Sequence, residues 1–349
     1  MCIRDSFLVF AAMMMLFSCK VSTEKGKEKL DDAVTNMSNQ IEMMKDTEMR
    51  NAVEGLFGLG STPDFSKDNF SATPQNIQKI IGVGYAMKET FVNKYSFFST
   101  QKIGDEQFSL TQHAGTYTWN KTTEDWDFQS TPTDKVVVLF PSKNSSSNDC
   151  RFEWSKYQEV KSTDGFYLPT VIYAELFKDD KTIAVVDVEV EYNLATEIPK
   201  MVKFYLELTP VKFKLDYTFE NKIAKFSASV KKGSKKINEI DAEITFTNEE
   251  MYDVVSGSGT YKMYDVEKSR LILKIVFEFE DGFDKDCASF NELASIKLYT
   301  SSNRLIGEIQ CDDNDECGMI IVFNDGQTKD VCYYFDKMER EIENALDDF

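Results

Sequence analysis

The sequence predicts an α+β protein: N-terminal helices, then a large antiparallel β-sheet meander that is either curved and open or partly closed as a half-barrel, and a C-terminal helix. Two observations predict this class. Apolar residues recur at helical spacing before residue 100, and they alternate with polar residues from about Gln107 onward. Because half-wet strands are typical of antiparallel sheets, the second pattern favours hairpins over a parallel sheet.

The helices are predicted from apolar stripes and capping residues. One helix covers Glu24–Phe57, and a second begins at Thr73, which precedes a proline at the first helical position. A short helix near Asp286–Ala294 and a closing helix over Asp336–Asp348 follow the same reasoning. We expect the N-terminal helices to cover the apolar face of the sheet.

The strands are predicted from strict alternation. Val211–Glu220 reads VKFKLDYTFE, with every second side chain apolar, and VVDVEVEY ending at Tyr192 repeats the pattern. Short turns such as Lys232-Gly233-Ser234 separate these runs, so the strands follow one another as hairpins. The spacing predicts roughly ten to fourteen strands.

Composition narrows the classes of function. The formal net charge is −19 and the pI is about 4.6, which disfavours nucleic acid as a partner because phosphates would be repelled. His113 is the single histidine, so multi-histidine metal sites are excluded. No cofactor is expected, since no dinucleotide or nucleotide loop is present.

The N-terminus predicts export. Phe7–Phe17 is an apolar run of signal-peptide length, and it ends at Leu16-Phe17-Ser18-Cys19. This segment resembles the lipobox of Gram-negative bacterial lipoproteins, although Phe17 departs from the usual small residue. The resemblance implies cleavage before Cys19, lipidation of its sulfur, and a membrane anchor. Lys20 favours the outer membrane, on either face. The opening MCIRDS resembles a translated sequencing-adapter remnant.

These features divide the chain into three segments. Residues 1–18 form the signal peptide, residues 19–100 the lipidated N-terminus and helical region, and residues 101–349 the antiparallel sheet domain with its C-terminal helix.

An acidic turn holds two cysteines. Cys311 and Cys317 bracket CDDNDEC, and cysteines that flank a hairpin turn can form a disulfide, the alternative being two core thiols. Asp313 and Asp315 in the same turn are candidate calcium ligands. The calcium-loop pattern then fails, because Asn324 stands where a bidentate glutamate belongs, and a solvated acidic turn is the favoured interpretation.

Three aromatic residues are candidate ligand contacts. Tyr117, Trp119 and Trp126 surround a polar turn, and exposed rings of this kind stack on sugars. The favoured alternative is cross-strand aromatic pairing in a hairpin.

No catalytic constellation stands out. His113 has no nucleophile elbow G-x-S-x-G to serve, so catalysis through it is not expected. The expected function is therefore non-enzymatic: an envelope lipoprotein that binds a ligand or partner or has a structural role, with a hydrophobic ligand on the concave sheet face as one form. Surface glycan binding and an unrecognised hydrolase are the alternatives.

Overall fold

The computed structural model describes most of the chain after residue 108. The described residues are 109–130, 134–248, 253–265, 270–284, 286–313 and 318–333, with isolated positions at 24, 26, 28, 32, 35, 51, 52, 251 and 336. Among them, no helix is both long enough and apolar enough to cross a membrane.

The chain divides into two compact units, one of residues 47–209 and one of residues 210–349 together with residues 1–46. We call them the 47–209 unit and the 210–349 unit. The predicted boundary near residue 100 lies outside the described residues.

Seven strands form the sheet of the 47–209 unit. Their order is β7-β6-β5-β4-β3-β1-β2, and all neighbours are antiparallel except β1 and β3, which are parallel. A 3-10 turn, Leu110–His113, precedes β1. The strands are β1 Gly115–Asn120, β2 Asp125–Gln129, β3 Val136–Phe140, β4 Cys150–Lys161, β5 Tyr167–Lys178, β6 Lys181–Tyr192 and β7 Pro199–Leu208.

Nine strands in sequential antiparallel order form the sheet of the 210–349 unit. A short helix, α1 (Cys287–Leu293), connects β12 to β13 and begins at Asp286, whose side chain accepts a hydrogen bond from the Ser289 amide. The strands are β8 Val211–Glu220, β9 Ile223–Lys232, β10 Lys235–Phe246, β11 Val254–Tyr264, β12 Leu271–Glu280, β13 Ala294–Thr300, β14 Leu305–Cys311, β15 Met319–Phe323 and β16 Thr328–Asp330.

Each unit buries its apolar face most completely on one set of strands. In the 47–209 unit the core lies mainly on β1, β3 and β4, with Phe140 and Trp154 fully covered. In the 210–349 unit it lies on β11 to β15, where Ile275 and Leu298 are 0% and 1% exposed. Hydrophobic burial therefore holds these strands most strongly.

Several of the remaining strands carry half-buried side chains on both faces along part of their length. In β6, Val186 and Val188 on one face and Val185 and Asp187 on the other are all half-buried. Strands in this state depend on their backbone ladders and on cross-strand side-chain pairs more than on a covering layer. The pairs include ions directly opposite each other, as in Lys203–Glu189 at 3.0 Å.

Cations also lie over aromatic rings of neighbouring strands. Arg151 is 4.3 Å from the centre of the Phe177 ring, and Lys156 is 5.3 Å from that of Tyr173, in each case directly across from its partner. Long basic side chains of this kind cover apolar surface with their methylene stems while the charged heads stay in water.

The predicted α+β class is wrong. The part of the chain that the structure describes is almost entirely β, its sheet is mixed because of the β1–β3 pair, and it holds sixteen strands rather than ten to fourteen. The prediction gave helices and strands similar weight, whereas strands make up nearly all of the regular structure in the described ranges after residue 108. The predicted helices before residue 100 and after Asp336 fall almost wholly outside the described residues.

Several local predictions are confirmed. Val211–Glu220 forms β8, the run ending at Tyr192 forms β6, and the short helix predicted near Asp286–Ala294 is α1. The turn at Gly233 also lies where predicted, with its φ at 59°. Strict alternation and turn chemistry are local signals, which explains their success.

Candidate functional site

The aromatic candidates form a cross-strand cluster. Trp119 on β1 lies opposite Trp126 on β2, with ring centres 5.3 Å apart and planes at 68°. Trp119 and Tyr117 are 7% and 4% exposed, and Tyr117 packs on Phe128. Burial raises the pKa of Tyr117. A glycan platform needs exposed, roughly coplanar rings, and these residues do not form one.

The cysteine pairing differs from the prediction. Cys311 on β14 is bonded to Cys287 on α1, with Cα atoms 4.9 Å apart, so the predicted Cys311–Cys317 bond is wrong. Cys317 lies outside the described residues. The prediction weighed only closeness in sequence, but α1 brings a cysteine 24 positions away to the end of β14. Cys332 is also disulfide-bonded, whereas Cys150 is a buried thiol.

The metal candidates do not form a described site. Asp313 is exposed beside the Cys287–Cys311 bond, and Asp315 lies outside the described residues. Sulfurs joined in a disulfide are not thiolates and cannot ligate a metal as thiolates do.

Two further predictions concern single residues. Cys19, the proposed lipidation site, lies outside the described residues. His113 is the last residue of the 3-10 turn that precedes β1. The strand begins two residues later, at Gly115.

A buried carboxylate on β4 is held by two cations. Glu153 is 9% exposed, accepts a hydrogen bond from the Arg151 guanidinium at 2.8 Å, and forms an ion pair with Lys135. It faces Glu175 across the β4–β5 pair. The two cations offset that repulsion, so the cluster is best understood as structural.

The apolar face of β5 to β7 carries a half-buried patch that sequence reasoning did not single out. We call the residues Ile172, Val186, Val188, Val190 and Leu206 the apolar strip. Ile172 lies directly opposite Val188, and Val186 opposite Leu206, so the five side chains share one face. The alternation in VVDVEVEY predicts that its valines share one face of the strand, but a sequence does not show how far that face is exposed to solvent.

Two tyrosines on the same face stand at one end of the strip. The Tyr157 hydroxyl donates to Glu159 at 2.7 Å, and the Tyr192 hydroxyl donates to the carbonyl of Pro169 at 3.2 Å. Burial raises the pKa of Tyr192 to about 12 and also raises that of Tyr157, whose bond to Glu159 adds to the effect. Both hydroxyls are therefore neutral at physiological pH, and the Glu159 carboxylate accepts a hydrogen bond from one of them.

Two open pockets, which share Glu243 and Ser258, lie side by side on the polar face of the 210–349 unit between β8 and β13, and we call them together the groove. Short hydroxyl side chains such as Ser258 lie within it, and Lys225, its one lysine, is paired with Glu243 at 2.9 Å. The carboxylates could hold a cation or a hydroxyl-rich ligand, because their oxygens are hard donors and hydrogen-bond acceptors. The six acidic residues that line it are Asp216, Asp241, Glu243, Glu278, Glu280 and Glu292.

Two glycines lie on the opposite face of the strand that crosses the groove. A Cβ atom at Gly257 would lie 2.2 Å from the Phe279 ring, and one at Gly259 would lie 2.3 Å from the Phe277 ring. The rings thus pack directly on the bare backbone of β11, which is a recognised role for glycine within strands. The alternation of glycine and serine in Ser256–Gly259 gives this strand one face that accepts rings and one with short hydroxyls.

Glu239 on β10 is the most strongly engaged carboxylate of the polar face. Its oxygens contact Lys236 at 2.5 Å and accept a hydrogen bond from Tyr264 at 2.7 Å. Burial alone would raise the pKa of Glu239, but these bonds and the charge of Lys262 outweigh it and lower the pKa. The arrangement stabilises the sheet and leaves no reactive carboxyl.

Comparison with known proteins finds no relative: no family model matches the chain, and neither the curated proteins nor the solved structures include a match.

Proposed function

We propose that this protein is a non-enzymatic cell-envelope lipoprotein, held at the outer membrane by lipid on Cys19, that binds a hydrophobic ligand on the apolar strip. The observation that carries the proposal is the half-buried state of Ile172, Val186, Val188, Val190 and Leu206 on one face. Apolar surface left in contact with water is unfavourable, and a row of such side chains on one face is a candidate contact for a small ligand.

The disulfide supports an extracytoplasmic location. Disulfides persist in oxidising compartments and are rare in the cytosol of mesophiles. The Cys287–Cys311 bond, with Cα atoms 4.9 Å apart, is therefore consistent with the export predicted from the N-terminal apolar run and Cys19.

The size of the strip favours a small ligand over a protein. Three strands at about 4.8 Å spacing and four residues at about 3.3 Å rise cover roughly 190 Å². A stable protein interface covers about 800 Å² on each partner. One acyl chain or a ligand of similar size fits the strip, and the neutral tyrosines at its end suit an uncharged polar group.

The proposed function does not rest on the acidic groove of the 210–349 unit. The chain has 59 acidic residues among 349, so a carboxylate-lined depression follows from composition alone. The strip is different, because apolar side chains on a half-buried face require a separate explanation.

The methyl ester of cis-parinaric acid, a fluorescent acyl chain with an uncharged polar end, tests the strip directly. We expect saturable binding by the wild-type protein and at least tenfold weaker binding by Val186→Thr/Val188→Thr, because each hydroxyl is left without a partner under a bound chain. Val185→Thr is the matched control, since it changes the same residue type on the opposite face of β6. Absence of saturable binding by the wild type, or equal loss in the control, would contradict the proposal.

The anchor is tested separately. Mass spectrometry of the mature protein should show Cys19 as the first residue and carrying acyl chains, and Cys19→Ala should move the protein from the membrane fraction to the soluble fraction. An unmodified Cys19 sulfur would remove the lipoprotein part of the proposal and leave the ligand part standing.

A further inference from the structure

Helix α1 is short and is attached to one residue of β14 in two ways. Seven residues are too few for a helix to be stable by itself in water, so tertiary contacts must hold it. Its first residue, Cys287, is bonded to Cys311. Its fifth, Asn291, donates to the Cys311 carbonyl at 2.8 Å and accepts from the Cys311 amide at 2.7 Å.

The same helix supplies one end of the groove. Glu292 and Leu293 at its C-terminus line the groove, together with Ala294 and Ser295 of β13, which follow without a loop. A change in the docking of α1 would therefore move Glu292.

We infer that oxidation of Cys287 and Cys311 docks α1 and thereby completes this end of the groove, so that the reduced chain carries α1 undocked on an otherwise formed sheet. In the docked state both cysteines are 8% exposed. A reductant therefore reaches the sulfurs only after α1 opens, and the finished bond is protected. The bond serves as a maturation step that follows arrival in an oxidising compartment.

The chemistry is thiol–disulfide exchange with a disulfide-bearing oxidant. One cysteine, as its thiolate, attacks the oxidant and forms a mixed disulfide, which releases the oxidant's first sulfur as a thiol. The second cysteine then attacks the sulfur of the first, and the oxidant's other sulfur leaves as a thiol. Two protons and two electrons pass from the cysteine pair to the oxidant, and one disulfide replaces another.

The hydrogen bonds of Asn291 are not expected to hold α1 without the disulfide. Two hydrogen bonds contribute modestly against the entropy of ordering seven residues. The core contact of Phe290, which is 3% exposed, depends on the same docking and forms together with it.

Hydrogen exchange of the full chain tests this inference, and it does so whether or not the apolar strip binds a ligand. In Cys287→Ala/Cys311→Ala, we expect the amides of Ser289, Phe290 and residue 311, which donate to Asp286 or Asn291, to exchange at least ten times faster than in the wild type. Amides of β8 and β9 should change less than twofold. Cys150→Ala removes a buried thiol of the other unit and is the matched control.

Two outcomes of the hydrogen-exchange experiment would overturn the inference. Unchanged exchange at Ser289 and Phe290 would mean that Asn291 and Phe290 hold α1 without the disulfide. Equally accelerated exchange in β8 and β9 would mean that the bond holds the whole unit together, which also overturns the inference. A second variant, Asn291→Ala with the disulfide intact, should leave the exchange of Phe290 within threefold of the wild type.

Discussion

Gly259 on β11 offers the sharpest test of the packing in the 210–349 unit. A Cβ atom there would lie 2.3 Å from Cζ of Phe277 and 2.7 Å from the backbone carbonyl oxygen of Asp241. Phe277 is 4% exposed and cannot swing into solvent. The carbonyl belongs to β10, the hydrogen-bonded neighbour of β11, so it cannot withdraw without disturbing the ladder.

The expected effect of Gly259→Ala is a loss of about 2–3 kcal/mol in the free energy of unfolding. Overpacking in a well-filled core costs roughly 1–3 kcal/mol, and a weakened ladder bond adds about 1 kcal/mol. The lower entropy of alanine in the unfolded chain offsets about 0.5–1 kcal/mol. In a Phe277→Leu background the same substitution should cost about 1 kcal/mol less, because the closest ring atoms are gone.

Urea unfolding followed by far-UV circular dichroism measures this effect. Tryptophan fluorescence is unsuitable, because Trp119, Trp126 and Trp154 all belong to the 47–209 unit. Ser258→Ala, on the exposed face of the same strand, is the control and should change stability by less than about 0.5 kcal/mol. A Gly259→Ala protein as stable as this control would refute the close-approach argument.

Three further perturbations test other parts of the structure. Tyr261→Phe should raise stability by about 1 kcal/mol in the same urea titration, because the buried hydroxyl has no hydrogen-bond partner among the described residues; a loss would reveal a partner. Glu153→Gln should lower the stability of the 47–209 unit by about 2 kcal/mol, measured by tryptophan fluorescence, because Lys135 and Arg151 lose the buried carboxylate with which both form ion pairs. An unchanged unfolding midpoint would show that these two ion pairs contribute nothing to stability. The pKa of Glu239 is lowered in the folded protein, so this carboxylate stabilises the fold above its ordinary pKa of 4.5, and the effect is lost as the pH falls through the folded pKa. The Glu239→Gln variant should therefore be less stable than the wild type at neutral pH, and the difference in the free energy of unfolding should shrink below the folded pKa. A difference that stays constant with pH would refute this.

The strands were predictable because their signal is local. In Val211–Glu220 the alternation alone determines which side chains share a face, and the structure has that strand with the same bounds. The turn at Gly233 was predictable for the same reason, since its positive φ suits glycine. A short helix near Asp286–Ala294 was predicted as well, and the structure shows that the Asp286 side chain caps its first turn.

The candidate sites were harder to predict, because they depend on contacts between distant segments. The partner of Cys311 lies 24 positions away, on a helix whose docking no sequence pattern reveals. Trp119 could have been exposed or buried with the same sequence, and only the packing of β1 on β3 shows that it is buried.

The sequence by itself determined the acidic character of the chain, the alternation of its strands and the places of its turns. Each is a property of a residue or of a few neighbours, so it survives without knowledge of the fold. The tertiary structure alone decided that β1 pairs in parallel with β3, that α1 is bonded to β14, and that the apolar side of β6 stays half-buried. Those features depend on which distant segments meet, and the free energy that selects them is shared among many contacts across the sheet.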